Sequence, residues 1–217
     1  MLKPRQLIQA MRTVRSQEAT RLGDFAILKA DALGAQADPA VRAQLEPVVG
    51  YYPPIDLEAL SQLPEGSFGY EYAHHMQTNH LSPFSVSPEL EAVARRNVFA
   101  LRYAITHDIF HVLLGFDTSY AGEMGVLAFA VAQGYSRSQR LALGLASALY
   151  PLLAPAQRRA IAASRRRGLA LGQQAGFLLG QRFEDQWELP LDTVRRQLGL
   201  PAGDALARHA DGQDHPL

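Results

Sequence analysis

Cysteine does not occur in this sequence. That absence excludes disulfides, thiolate zinc fingers, iron–sulfur clusters and thiol catalysis, and it leaves any metal to nitrogen and oxygen ligands. An excess of either charge is missing too. Lys and Arg together number 21 and so do Asp and Glu, so no global basic field draws the chain to nucleic acid. The longest apolar run, LALGLASALYPLLAPA at 141–156, is shorter than a bilayer span and is broken by Pro151 and Pro155. The opening residues, MLKPRQLIQAMRTVRSQ, have neither the apolar core nor the small-residue cleavage site of a secretory signal. They are Arg-rich and free of acids until Glu18, as a weak mitochondrial presequence would be. Their stripe of Ile8, Met11, Val14, Ala19, Leu22, Phe25 and Ile27 reads better as an ordinary first helix.

What the chain does have is core-forming sequence: 217 residues, 47% apolar and 19% charged, the proportions of a globular protein. Strand alternation and internal repeats are not evident. The expected fold is all-α: one helical, bundle-like domain over 1–204 with Pro/Gly-rich connecting loops, and a flexible tail at 205–217. After a turn at Gly34–Pro39 comes a short helix from about Ala40 to Leu45, and a second short one lies around 68–79. A long helix is expected from Pro88 to Gly115, opened by Ser87 as N-cap and an acidic first turn. A break at FDTSYAG separates it from another long helix. Further helices are expected around 137–150 and 156–187, and a last one at LDTVRRQLG is expected to be capped by Asp192 and stopped by Gly199 and Pro201.

One stretch places polar groups inside core-like sequence. In THDIFHVLLGFDTSYAGE, His107 and His111 stand four apart, Asp108 follows the first, and eleven residues separate His111 from Glu123. At about 100° per residue the two histidines lie about 40° apart on a helix, with Asp108 about 60° from His111. Gly115 ends that helix, and seven loop-like residues let the chain return so that Glu123 faces the pair. Two imidazoles and a carboxylate from an adjoining helix form a divalent-metal arrangement, closest to zinc sites that keep an open position, and Fe(II), Mn or Co accept the same donors. The residues equally suit a hydrogen-bonded polar cluster in the core, and spacing leaves both readings open.

HDIFH, eleven residues and then Glu resembles the HDxxH–x11–E signature of the ubiquinone (coenzyme Q) biosynthesis proteins of the Coq-four type. LPEGSFGYEYAHHMQTNHLSP and FEDQWELPLDTVRRQLGL are similar to two further segments of that family, in the same order. Thr106 stands where an Arg often precedes the His-Asp pair, and Ile109-Phe110 replace Leu-Trp. The resemblance implies an α-helical protein in which His107, Asp108, His111 and Glu123 are metal ligands and catalytic residues. The metal would be zinc first, Fe(II) second, and the ligand polyprenylated. It implies removal of the C1 carboxylate from a polyprenyl-benzoate, with hydroxylation at that carbon if the reaction is oxidative. The alternative is a non-catalytic lipid-binding scaffold for the other quinone-biosynthesis enzymes. The implied partners are the quinone precursor, those enzymes and a membrane surface bound peripherally, with a homodimer as a further option. The location would be the inner face of a bacterial membrane or the matrix side of the mitochondrial inner membrane.

Two other features bear on a lipid ligand. Gly168, Gly172, Gly176 and Gly180 recur at four-residue steps, either a close helix–helix seam or a slot for an isoprenoid chain. Arg158, Arg159, Arg165, Arg166 and Arg167 cluster just before and within that stretch, as a solvated face or a contact for lipid head groups or phosphate. His74, His75 and His80 have poor spacing for a second metal site and read as packing or exposed residues. A zincin-like protease would need a general-base Glu where Asp108 stands, and a sheet edge that the sequence does not offer.

Overall fold

The computed structural model describes residues 28, 35–87, 89, 91–203 and 206. Among these the chain is all helix and loop, and the sole extended pairing is an isolated bridge between Ser67 and Pro190. The helices, in order, are α1 (Pro39–Arg42), α2 (Leu57–Ser61), α3 (Phe68–Thr78), α4 (Glu91–Arg96), α5 (Val98–Leu114), α6 (Tyr120–Ala132), α7 (Arg137–Leu153), α8 (Arg158–Gln174) and α9 (Leu191–Gln197). The all-α expectation holds. The expected first helix, Pro88 and most of the 205–217 tail lie outside the described residues, although Leu206 of that tail is buried in the main core.

Helices α5 and α6 are apolar around most of their circumference, and the structure surrounds them accordingly. Phe110, near the middle of this core, meets Tyr103, Phe129 and Phe183 edge to face. Gly115, with φ of 62°, ends α5 in the left-handed conformation that favours glycine. Ser119 opens α6 by accepting a hydrogen bond from the Gly122 N–H. The two helices therefore form a hairpin, joined by residues 115–119.

Three sequence expectations are corrected. The helix expected over 88–115 is two helices, because Asn97 caps α5: its Oδ1 accepts from Ala100 N at 3.1 Å and its Nδ2 donates to Ala35 O at 2.9 Å. The helix expected over 156–187 ends at Gln174, and the Gly176 N–H bonds instead to Leu198 O. Asp192 does not cap α9. It accepts from Arg195 Nη1 and from Gly203 N, both at 2.9 Å.

The four glycines consequently form no single groove. Gly176 and Gly180 lie beyond the helix, and a Cβ on Gly180 would stand 2.5 Å from Gln44 O. Gly168 and Gly172 face α6, where a Cβ would meet Gly125 O at 2.1 Å and Phe129 O at 2.7 Å. The space beside these two is filled by the α6 backbone, as in a small-residue packing seam.

Candidate metal centre

His107 and His111 occupy successive turns of α5, and Glu123 stands in the first turn of α6 opposite them. Glu123 Oε2 lies 3.4 Å from His107 Nε2 and Oε1 lies 3.4 Å from His111 Nε2. One donor atom from each of the three residues falls within 4.8 Å of the others, the span of a shared cation.

His111 is buried, and its environment fixes its chemistry. Its Nδ1 is 3.2 Å from Phe116 O, which can only accept, so Nδ1 carries the proton and Nε2 presents a lone pair. That Nε2 is itself buried and has no hydrogen-bond partner. A polar atom in that condition is unfavourable unless a ligand completes it. A backbone carbonyl behind one imidazole nitrogen and an open lone pair at the other is the arrangement of a metal-ligating histidine. The donor set therefore fits a divalent ion, with zinc and Fe(II) both compatible.

His107 is more open, with 30% of its side chain exposed. Desolvation lowers its pKa, but the neighbouring Asp108 and Glu123 outweigh this and raise it to about 9. Desolvation likewise opposes ionisation of Glu123, and the two histidines outweigh that to bring it down to about 2. Without a cation, the cluster is thus an imidazolium–carboxylate pair. Asp108 is outside the three-residue cluster: its Oδ1 approaches the other nitrogen of His107, Nδ1, at 3.6 Å. From there it can orient the ring.

The framework holding these groups is tight. A Cβ on Gly122 would fall 1.8 Å from Asp117 O, and one on Gly125 would fall 2.5 Å from the Phe116 ring. The absence of both side chains lets the loop fold onto α6 and brings the Phe116 carbonyl to His111. Two arginines from distant elements hold the end of α5. Arg195 donates to Val112 O at 2.9 Å and Leu113 O at 3.0 Å, and Arg167 donates to Leu114 O and Gly115 O. These are carbonyls that the end of a helix leaves without partners. Higher on α5, the buried Arg102 pairs with Glu184 at 3.2 Å, and Thr106 Oγ1 donates to Arg102 O. The FEDQWELPLDTVRRQLGL segment thus braces α5 through Glu184 and Arg195.

Sequence spacing missed one residue. His75 of α3 stacks on His111 with ring centroids 5.7 Å apart, and its Nε2 is a second buried nitrogen without a hydrogen-bond partner. It comes from an element 30 residues upstream, and only its place in a helix ended by Asn79 hinted at a buried face. Among the arginines, Arg158, Arg159, Arg165 and Arg166 are exposed, but Arg167 lies over the Phe116 ring at 4.3 Å and serves the α5 terminus.

The sequence model for coenzyme Q (ubiquinone) biosynthesis protein Coq4 matches residues 52–203, a segment that contains this whole centre. The chain belongs to the Coq4 family. Curated relatives include the mitochondrial ubiquinone biosynthesis protein COQ4 homologs of Bos taurus, 33% identical over 150 residues, and of Homo sapiens, 31% identical over 149. Those alignments cover 67% and 68% of this chain but 55% and 56% of the relatives, so the chain spans about half the length of the curated proteins it matches. A crystallised protein from Nostoc punctiforme superposes with a TM-score of 0.63 at 24% identity. The superposition covers 89% of this chain and 94% of that one, and it shows a shared fold.

Proposed function

We propose that the chain acts in ubiquinone biosynthesis. It would hold a divalent metal at His107, His111 and Glu123 and remove the C1 carboxylate of a polyprenylated benzoate placed beside it. The observation that carries this reading is the buried, unpartnered Nε2 of His111, turned to Glu123 and held in that tautomer by Phe116 O.

Electrostatics supports a cation. Asp108 and Glu123 alone would repel a carboxylate substrate, and a divalent ion between the histidines and Glu123 cancels that local charge. When bound, such an ion supplies Lewis acidity to the substrate's oxygen atoms. The chain's own groups do the positioning. Phe116 O fixes the His111 ring, Asp108 orients His107, and His75 offers a second ring nitrogen for a substrate oxygen. Tyr103, edge-on to His107 at 5.9 Å, covers the ring on the core side, and burial pushes its phenol pKa up, which keeps it neutral. In decarboxylation the bond from ring carbon to carboxylate breaks, carbon dioxide leaves, the electron pair stays on the ring and a proton replaces the lost group. In the oxidative form a hydroxyl replaces it: O2 supplies one oxygen atom, and an external two-electron donor with two protons takes the other to water.

The same proposal includes the polyprenyl tail, association with the other quinone-biosynthesis enzymes and peripheral attachment to a membrane. No helix among the described residues is long and apolar enough to cross one. It also keeps 1–204 as one domain. The test is metal content by mass spectrometry on protein purified without an affinity metal, followed by turnover of a polyprenyl-hydroxybenzoate. About one equivalent is expected in the parent, with loss in His111→Ala and Glu123→Ala while the fold is retained. A parent that takes up no zinc or iron after reconstitution would overturn the metal reading. Turnover surviving in a metal-free His111→Ala variant would overturn the role of the centre.

A further inference from the structure

The outer side of α7 carries Leu141, Leu145, Leu149, Leu152 and Leu153, which are 78, 67, 42, 69 and 54% exposed. The first four fall within an arc of about 80°. The opposite side of the helix is conventional: Leu143, Ala146 and Tyr150 pack on α6 beside Met124 and Ala128. A second, independent feature is charge segregation. Residues 124–183 hold eight arginines and no carboxylate, in a chain whose total charge is zero. Asp38 pairs with Arg140 at 2.9 Å and approaches Arg137 at 4.0 Å. Arg159, Arg165 and Arg166 of α8 are exposed, as is Arg158, which also donates to Pro151 O.

We propose that the leucine face of α7, together with the exposed arginines of α8, is a docking surface for an anionic lipid bilayer. Aliphatic side chains on one side of a helix and cations on the adjoining one are what an interfacial helix presents to acyl chains and head groups. Charge argues against a second copy as the occupant. A two-fold contact would press an arginine-rich surface, whose neighbouring carboxylate Asp38 is already paired with Arg140, against its own image. The geometry also gives docking a consequence. Tyr120, three residues before Glu123 and 41% exposed, packs edge-on against Tyr150 of α7 with centroids 5.1 Å apart. Docking through α7 would therefore set the metal-bearing hairpin directly behind the membrane surface. This deepens the peripheral-attachment part of the proposed function and does not depend on its chemistry.

The experiment is co-sedimentation of the full chain with vesicles of phosphatidylcholine alone or with about 30 mol % phosphatidylglycerol, free of any quinone precursor. The parent is expected to partition onto the anionic vesicles and to be released by salt. The triple variant Leu141→Gln, Leu145→Gln, Leu152→Gln is expected to lose about tenfold or more of that binding. Arg158→Gln, Arg159→Gln, Arg165→Gln, Arg166→Gln should lose a similar factor together with the salt dependence. Both variants should keep the parent's circular dichroism and melting temperature, since every altered residue is exposed. A parent indifferent to anionic vesicles, or a leucine variant that binds as well as the parent, overturns the proposal. So does a parent dimer in analytical ultracentrifugation that the leucine variant splits while vesicles capture nothing. Running the same assay on His111→Ala separates the outcomes: vesicle binding unchanged there means that the docking surface stands whatever becomes of the metal centre.

Discussion

The carbonyls of residues 112–115 and the imidazole of His111 belong to the end of the same helix, α5, yet they are treated in opposite ways. Each of the four carbonyls receives a hydrogen bond from Arg195 or Arg167, brought from far along the chain. The His111 Nε2, equally buried, has no hydrogen-bond partner and stands 3.4 Å from Glu123 Oε1. At the C-terminal end of α5 the backbone carbonyls are completed from within the fold. Where the fold leaves a nitrogen open among two imidazoles and a carboxylate, the opening suits a ligand.

That contrast can be broken from either side. The largest expected effect is on the completed side. Arg195→Ala removes three hydrogen bonds, two of them to buried carbonyls, and should destabilise the protein by about 3 kcal/mol. In a chain of this size the midpoint of thermal unfolding should fall by about 6–12 °C. A change under about 1 kcal/mol would mean that water completes those carbonyls equally well.

The open side is sharpened by pH. Below about 9 His107 carries a proton that a metal must displace, so metal affinity should weaken about tenfold for each pH unit below that value, and level off above it. Competition with a chelator of known affinity measures this, and a flat profile between pH 6 and about 8 would show that His107 is no ligand. In the metal-free protein the linkage signs differ. His107, raised from 6.5, contributes stability that is complete below 6.5 and lost as pH rises through about 9. Glu123, lowered from 4.5, contributes stability present above 4.5 and lost as pH falls through about 2.

The smallest effect is expected from Glu123→Gln in the metal-free protein. Glu123 is 36% exposed, so solvent screens its ion pairs and the fold should lose under about 1 kcal/mol. The His107 pKa should nevertheless fall towards 6.5, as one of the two carboxylates that raise it is gone. An NMR titration of the ring checks this. A loss of several kcal/mol would reassign the cluster to fold stability.

The hairpin and the three-residue cluster were legible because the information is local. Four-residue spacing, Gly115, Ser119 and the distance to Glu123 all lie within one stretch of chain. The split at Asn97 was not, since its side chain answers to Ala35 O, 62 positions away, while the apolar pattern runs on through it. Asp108 shared a helical face by angle alone, and the structure turns it to the outer nitrogen of His107. The glycine steps read correctly as a packing seam only for the first two. The remaining pair obeys contacts with Leu198 and Gln44 that no periodicity encodes. His75 and the leucine face of α7 depend on which elements pack together, and which do not.

The arginine hold on α5 also sets an order of events during synthesis. The metal-binding candidates occupy residues 107–123, whereas Arg195 is made 72 residues after Glu123. At ribosomal rates that interval is roughly 4–14 s. All the donors are therefore in the chain well before the arginines that secure the carbonyls behind them, and the end of α5 is still free to adjust during that interval.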